Sequence, residues 1–313
     1  MSTQAVDEAP AVPSSVVDRV VVRRAERVSP SFVRVWLGGD ALADFGTQGP
    51  MLDQRIKLIF PGVAGTLPHL DPAADWYAAW LALPDAERGS MRTYTPRDVV
   101  GDGVARQVVV DVVVHEHGPS GPGNAWALAA APGAEAIVIG PRRDAEWGGI
   151  EFAPGDAERV LVVGDETAVP AAYGILRDLP ADARGCVLLE VPTSADVLDD
   201  LRGPEGVDVE WLPRDGAERG ARLWAATLRR LGEDDWRQAP PQVADDEVED
   251  LVWDTPEVAH TPEAGPYSGL YAWIAGEAKV VTGLRRHLVR DLGVDRSQVA
   301  FMGYWREGVA MKG

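Results

Sequence analysis

The spacing of apolar residues changes period partway along the chain. In the first half, short β-branched runs at Val16–Val22, Phe32–Leu37, Arg55–Phe60, Gln107–His115 and Ala136–Gly140 predict strands between Gly, Pro and Asp clusters. Few helical stretches separate them, a spacing that predicts an antiparallel barrel or sandwich. Residues 61–90 interrupt it as an inserted excursion with one short helix at Asp75–Leu83. A second helix is predicted at Asn124–Ala131, opened by Gly121-Pro122-Gly123-Asn124 and stopped by Pro132-Gly133.

Near Pro154-Gly155 the rhythm becomes strand–helix alternation. Strands are predicted at Arg159–Val163, Cys186–Val191, Val207–Leu212, Leu270–Ala275 and Val299–Trp305. Helices are predicted at Ala168–Leu179, Ala195–Leu201, Ala217–Leu231 and Glu277–Leu292, the last with Val281, Leu284, Leu288 and Leu292 on one face. This alternation predicts a doubly wound parallel sheet. The expected organisation is a disordered leader over 1–15, a β-barrel domain over 16–153 and an α/β domain over 154–313. Inside the latter, 238–266 reads as a solvated acidic loop, which Trp253 pins to the domain surface.

Composition then narrows the classes. The 313 residues are long enough for two domains with buried cores. A single cysteine, Cys186, excludes an intramolecular disulfide and a cysteine zinc cluster. Thirty Lys and Arg against 49 Asp and Glu give a net charge of −19, which disfavours nucleic acid and anionic membranes as partners. The first fifteen residues lack a secretory signal pattern, so a cytoplasmic chain is expected. The high charge leans towards a monomer.

Several segments carry candidate chemistry. In Met91–Arg97, alternation on a strand puts Arg92 and Tyr94 on one side. A guanidinium there suits a pyrophosphate and a tyrosine ring suits a flavin. The segment reads equally as a strand end with a surface arginine and a cross-strand tyrosine. In Asp111–Trp126, a glycine-rich loop opens a helix near Asn124, an arrangement suited to a diphosphate. His115 and His117 read as loop histidines without catalytic duty. Gly164-Asp165-Glu166-Thr167-Ala168 and Gly276-Glu277-Ala278 follow two strands of the α/β half, where ligands bind in such sheets. Each is also explained as a tight turn with helix-capping acids. Glu190 suits a ribose hydroxyl and Arg214 a 2′-phosphate, although both read as ordinary surface residues.

Taken together, QRIKLIFP (54–61), MRTYTPR (91–97), DVVVH (111–115), GPGNAWA (121–127), GPR (140–142), GDETAVPA (164–171), YAWIAGEA (271–278) and GYWREG (303–308) resemble the siderophore-interacting protein family of flavin-dependent ferric-siderophore reductases. The resemblance covers nearly the whole chain after the leader. It implies a Greek-key FAD-binding barrel followed by a nicotinamide-binding domain, as in ferredoxin reductases. It implies FAD contacts from Arg92, Tyr94 and Thr95, from Asp111, Val113, Val114 and His115 largely through backbone, and from Gly121, Gly123, Asn124 and Ala125 at the pyrophosphate. Thr167 and Trp305 would complete the flavin site, with Tyr304 beside it. Relatives usually carry Ser and Arg where Asn124 and Ala125 stand, so a basic FAD contact is missing here. NADPH or NADH would meet Gly164, Asp165, Glu166, Ala168, Gly276, Glu277 and Ala278. An anionic ferric siderophore would meet Lys57, Arg142 and Arg306, with Arg143 a substitute for Arg142; each of these also reads as a solvated charge. No side-chain acid or base and no protein metal ligand is expected. The other functions weighed are a flavin reductase serving ferredoxin or another carrier, and a non-catalytic siderophore-binding protein.

Overall fold

The computed structural model describes residues 13–115, 121–244, 248, 253–262 and 264–309. Most of the expected leader (1–12), His117 and parts of the acidic loop lie outside the described residues.

The first half forms one antiparallel seven-stranded sheet. Its strands are β1 (Ser15–Ser29), β2 (Phe32–Gly38), β3 (Ile56–Phe60), β4 (Ser90–Tyr94), β5 (Asp98–Val100), β6 (Gln107–Val113) and β7 (Glu135–Pro141), in spatial order β4-β3-β7-β1-β2-β6-β5. The edges β4 and β5 are consecutive in the chain, joined by Thr95–Arg97 alone. A flat sheet of this width would hold its edges ~29 Å apart. The link spans at most ~14 Å. The sheet therefore curls back on itself as an open half-barrel.

Valines and leucines on the concave face fill the interior, among them Val20, Val35, Leu37, Leu58, Val110 and Val138. The opposite face at Val17, Ile59, Met91, Ile137 and Ile139 is covered by Leu67, Leu70 and Trp80 of the 61–90 excursion, whose helix α1 is Trp76–Ala82. Strand β1 runs past the predicted Val22 end. Its arginines and glutamate at 23–27 are largely exposed, yet their backbone stays paired to β2 across two register shifts. The short helix α2 (Pro122–Leu128) starts earlier than predicted, with Pro122 in its first turn.

The second half holds β8 (Arg159–Gly164), α3 (Val169–Asp178), β9 (Gly185–Val191), β10 (Val207–Pro213), α4 (Ala221–Leu231), β11 (Trp253–Asp254), β12 (Leu270–Glu277), α5 (Ala278–Arg286) and β13 (Val299–Trp305). The strand order is β10-β9-β8-β12-β13-β11. Five of the six strands are parallel; β11 pairs antiparallel with β13, so the sheet is mixed at that edge. Helix α3 covers the face turned to the first half, and α4 and α5 cover the other.

The expected helix at Ala195–Leu201 is absent. Only a single 3-10 turn forms at Ser194–Asp196. The Asp196 carboxylate caps that turn through Thr193 and also receives the Ser29 hydroxyl (2.8 Å) and the Ser31 amide (2.7 Å) from the first half. Bonds of this kind compete with helix continuation. Helix α4 begins at Ala221 rather than 217 because Gly216 and Gly220 sit at φ 90° and 79°, outside the helical region. The helix predicted to run to Leu292 changes at His287 into a π turn over His287–Asp291.

The two halves are joined by buried polar groups. Asp53 accepts the amides of Glu151 and Phe152 and the Trp273 indole N–H at 2.9 Å. Burial raises its pKa, and these donors hold it back. Helix α3 approaches so closely that a Cβ on Gly174 would lie 1.9 Å from the Leu52 carbonyl oxygen. The Leu52 amide donates to Asp178 from the other side at 2.9 Å.

Candidate functional site

A cleft of about 450 Å³ opens between the two sheets. Its size falls in the range of small-molecule and cofactor sites. The half-barrel builds one wall around its β4 edge: Lys57 from β3, registered with Thr93, Arg92 and Tyr94 from the other face of β4, and Asp111 and Val113 from β6, with Thr95 and His115 just beyond strand ends. Thr167, Pro170, Gly303, Tyr304 and Trp305 form the other wall, at the carboxyl ends of β8 and β13. Arg55 and Trp253 complete the lining; Trp253 stacks near Tyr304 at 6.1 Å, and the Arg55 guanidinium lies 4.5 Å over its ring.

Two cations in this cleft lack a carboxylate partner among the described residues. Arg92 donates to the Met91 carbonyl at 2.6 Å, and Lys57 reaches the Thr93 hydroxyl at 3.3 Å. Burial, helped by the charge of Arg55, lowers the Lys57 pKa. In a chain of net charge −19, unneutralised cations facing an enclosed space mark an anion-attracting site. The Tyr304 hydroxyl is buried there without a hydrogen-bond partner among the described residues. Aromatic walls, two free cations and an orphaned phenol suit a flavin carrying phosphates.

Other expected FAD residues act from behind. Val114 is buried and packs in the half-barrel core. Gly121, Gly123, Asn124 and Ala125 lie outside the cleft lining. A Cβ on Gly123 would stand 2.3 Å from the Tyr94 hydroxyl oxygen, so this glycine makes room for Tyr94. Asn124 does not cap α2. Its amide braces His115 in both directions, accepting from His115 N (2.6 Å) and donating to His115 O (3.2 Å). Asp111 lines the cleft, but both carboxylate oxygens are engaged by Arg34 and Arg97.

The expected nicotinamide residues are brought together, and the structure uses several of them as caps. Asp165 accepts from Thr167 N, and Glu277 accepts from Lys279 N (2.7 Å) and Val280 N (3.1 Å) at the start of α5. Glu166 is fully buried and paired with Arg214 (2.9 Å) and Arg219 (3.0 Å). Burial would lift its pKa, yet the hydrogen bond and charge of Arg214 prevail and pull it down. Glu190 and Arg214 are buried rather than on the surface; Glu190 bonds Arg214 and receives the Gly220 and Leu223 amides at the start of α4. Gly276 leaves space for Asp165, whose carboxylate a Cβ there would meet at 2.7 Å. Gly164 and Ala168 pack against each other, and Ala168 and Ala278 are buried.

The three expected siderophore cations do not converge. Lys57 lines the cleft, whereas Arg142 pairs with Asp44 and Arg306 donates to the Val248 carbonyl at 2.5 Å. Arg143 bonds the Ala43 carbonyl. Arg55 and Trp253 were not anticipated as cleft residues. Arg55 had a readable signal, since it stands two positions before Lys57 and alternation places both on one face. Trp253, expected only to pin the acidic loop to the domain surface, reaches the cleft because a two-residue strand pairs with β13.

Family models match in two parts: a siderophore-interacting FAD-binding domain over residues 21–145 and a siderophore-interacting protein domain over 157–308. The chain is 29% identical over 300 residues to the ferric vibriobactin reductase ViuB of Vibrio cholerae, covering 94% of this chain and 93% of that protein. It is 28% identical over 291 residues to the NADPH-dependent ferric-chelate reductase of Escherichia coli, covering 91% of each. A siderophore utilization protein from T. fusca superposes with a TM-score of 0.66 at 28% identity over 95% of both chains. The fold is ferredoxin reductase-like, and among the described residues no helix is long and apolar enough to cross a membrane. With an FAD-binding half-barrel and an α/β partner facing one cationic cleft, this chain belongs to the siderophore-interacting protein family.

Proposed function

We propose that this protein reduces ferric siderophores to release Fe(II), using FAD and electrons from NADPH or NADH. The observation that carries the reading is the cleft shared by both halves, with Lys57 and Arg92 unneutralised inside it. Hard Fe(III) is held by charged oxygen ligands that bind Fe(II) far less tightly, so one-electron reduction frees the metal. FAD, when bound, accepts the donor's two electrons and gives them out one at a time. The half-barrel domain, residues 16–153, would hold it through Arg92, Tyr94, Thr95 and His115, with Thr167 and Trp305 closing from domain 154–313. Lys57 and Arg55 would draw the anionic ferric complex to the open side. Because its pKa is lowered, Lys57 loses its charge at a lower pH than an exposed lysine, and affinity for the complex falls with it as pH rises.

The starts of α4 and α5 are already capped by Glu190 and Glu277, which leaves the start of α3, without a side-chain cap after the first strand of this sheet, for a dinucleotide diphosphate. Reduced ferredoxin, which needs no such pocket, is the second donor. Anaerobic titration decides: bleaching of the flavin absorbance by NADPH, NADH or ferredoxin identifies the donor. Return of colour on adding a ferric siderophore supports the reductase, and a flavin that stays bleached rejects it. Lys57→Ala is expected to retain FAD while KM for an anionic ferric siderophore rises roughly 10- to 100-fold. Unchanged kinetics with several siderophores would remove Lys57 from the substrate site.

A further inference from the structure

Behind the cleft wall the Asp165 carboxylate receives four hydrogen bonds. Its Oδ2 takes the Glu277 amide and the Trp305 indole N–H, each at 2.8 Å. Its Oδ1 takes the Thr167 amide at 2.9 Å and the Thr167 hydroxyl at 2.5 Å. Three of these partners are N–H groups, which donate and never accept. The Thr167 hydroxyl alone carries lone pairs and can rotate to accept. A proton on this carboxyl group therefore has one place to sit: on Oδ1, pointing at Thr167 Oγ1.

Thr167 also lines the cleft. When Asp165 is ionised, the hydroxyl donates to Oδ1 and turns lone pairs outward. When Asp165 is protonated, the hydroxyl accepts from it and its own O–H is released to donate into the cleft. We propose that Asp165 and Thr167 form a proton-holding pair that exchanges one proton with the cleft, the carboxylate storing it and the hydroxyl passing it on.

The transfer balances. The O–H bond at Asp165 Oδ1 breaks as one forms at Thr167 Oγ1, whose original proton leaves to a charged ligand oxygen of the chelator in the cleft, forming an O–H bond there. The acid becomes a carboxylate, no electrons move, and the reverse step restores it. The pair rests on the reading of this cleft as an FAD-dependent reductase site. A hydride brings two electrons and one proton, while ferric iron takes electrons alone, so every turnover leaves protons to be moved.

The surroundings match this duty. Burial first, then the charge of Glu166, raises the Asp165 pKa to about 6. Glu166 itself is held ionised by Arg214 and Arg219. Glu277 and Tyr304 face Asp165 from β12 and β13, and Arg219 lies 4.5 Å over the Trp305 ring.

The test is the FAD dissociation constant, measured by flavin fluorescence as a function of pH, in the wild type and in Thr167→Ser, Thr167→Val and Asp165→Asn. The expected result is a break near pH 6 in the wild type, kept by Thr167→Ser and lost in the other two. The same break in Thr167→Val overturns the pair, as does a wild-type profile that is flat between about pH 5 and pH 7. Should Thr167→Val fail to retain FAD, the break is read without cofactor. Trp305 donates to the same carboxylate, so the break in its emission, taken as the difference from Trp305→Phe, must vanish in Asp165→Asn, stay in place in Thr167→Ser and move in Thr167→Val, where the acid has lost its hydroxyl partner; an unmoved break in Thr167→Val overturns the pair. That second readout separates the two ideas: a protein that never binds FAD loses the reductase reading, while its emission still decides the pair.

Discussion

Asp111→Ala is expected to lower the stability of the fold by about 3–5 kcal/mol, the usual cost of removing one partner from a buried ion pair. The Asp111 side chain is fully buried and bonds Arg34 at 2.6 Å and 2.9 Å and Arg97 at 3.2 Å. Its loss leaves two largely buried guanidinium groups facing one another. Asp200 also bonds both arginines, but its side chain is half exposed and cannot replace a carboxylate fixed between them. The damage should spread across the molecule. Arg97 lies 3.4 Å over the Tyr173 ring, and Tyr173 bonds Asp200, both in the second half. Denaturant unfolding of the wild type, Asp111→Asn and Asp111→Ala should rank them in that order of falling stability. An alanine variant as stable as the wild type would mean that the cluster contributes nothing net to folding.

Arg92→Ala should do the reverse, sparing the fold and emptying the cleft. Among the described residues its side chain bonds only the neighbouring Met91 carbonyl, so little structural support is lost. A charge-assisted contact to a phosphate is worth about 1.5–3 kcal/mol, and the FAD dissociation constant should rise about 10- to 100-fold. Arg92→Lys should recover only part of this, because an ammonium cannot grip a phosphate with two parallel bonds. Flavin fluorescence on dilution measures the constant, and the thermal midpoint should stay near that of the wild type. Unaltered FAD affinity in Arg92→Ala would place the phosphates elsewhere.

These contrasting outcomes show what a linear chain reveals and what it hides. The period of the apolar residues carried the strand–helix alternation after Arg159, and alternation put Arg92 and Tyr94 on one side of β4, although the edge position of that strand also lets Met91 and Thr93 line the cleft. Local rules failed where distant partners decide. Asp196 ends a helix early because Ser29 and Ser31, far away in the chain, need its oxygens. Asp111 stands in the cleft, but Arg34 and Arg97 claim its charge. Arg142, inside a matching motif, is drawn off by Asp44. Glu190 and Arg214 read as surface residues because each is charged, and their mutual pairing under α4 is visible only in three dimensions. Trp253 reaches the cleft through two backbone pairings with no signature in composition.

Gly174 packed against the Leu52 carbonyl, Asp53 tied to Trp273 and Asp196 tied to Ser29 all lie on one seam. Chimaeras that graft the front part of one relative onto the rear part of another would have to carry these matched positions as a set. Recombination breakpoints placed in the connection between the sheets should fail as a class, even where each parent is sound, and crossovers that leave the seam in single parentage should succeed.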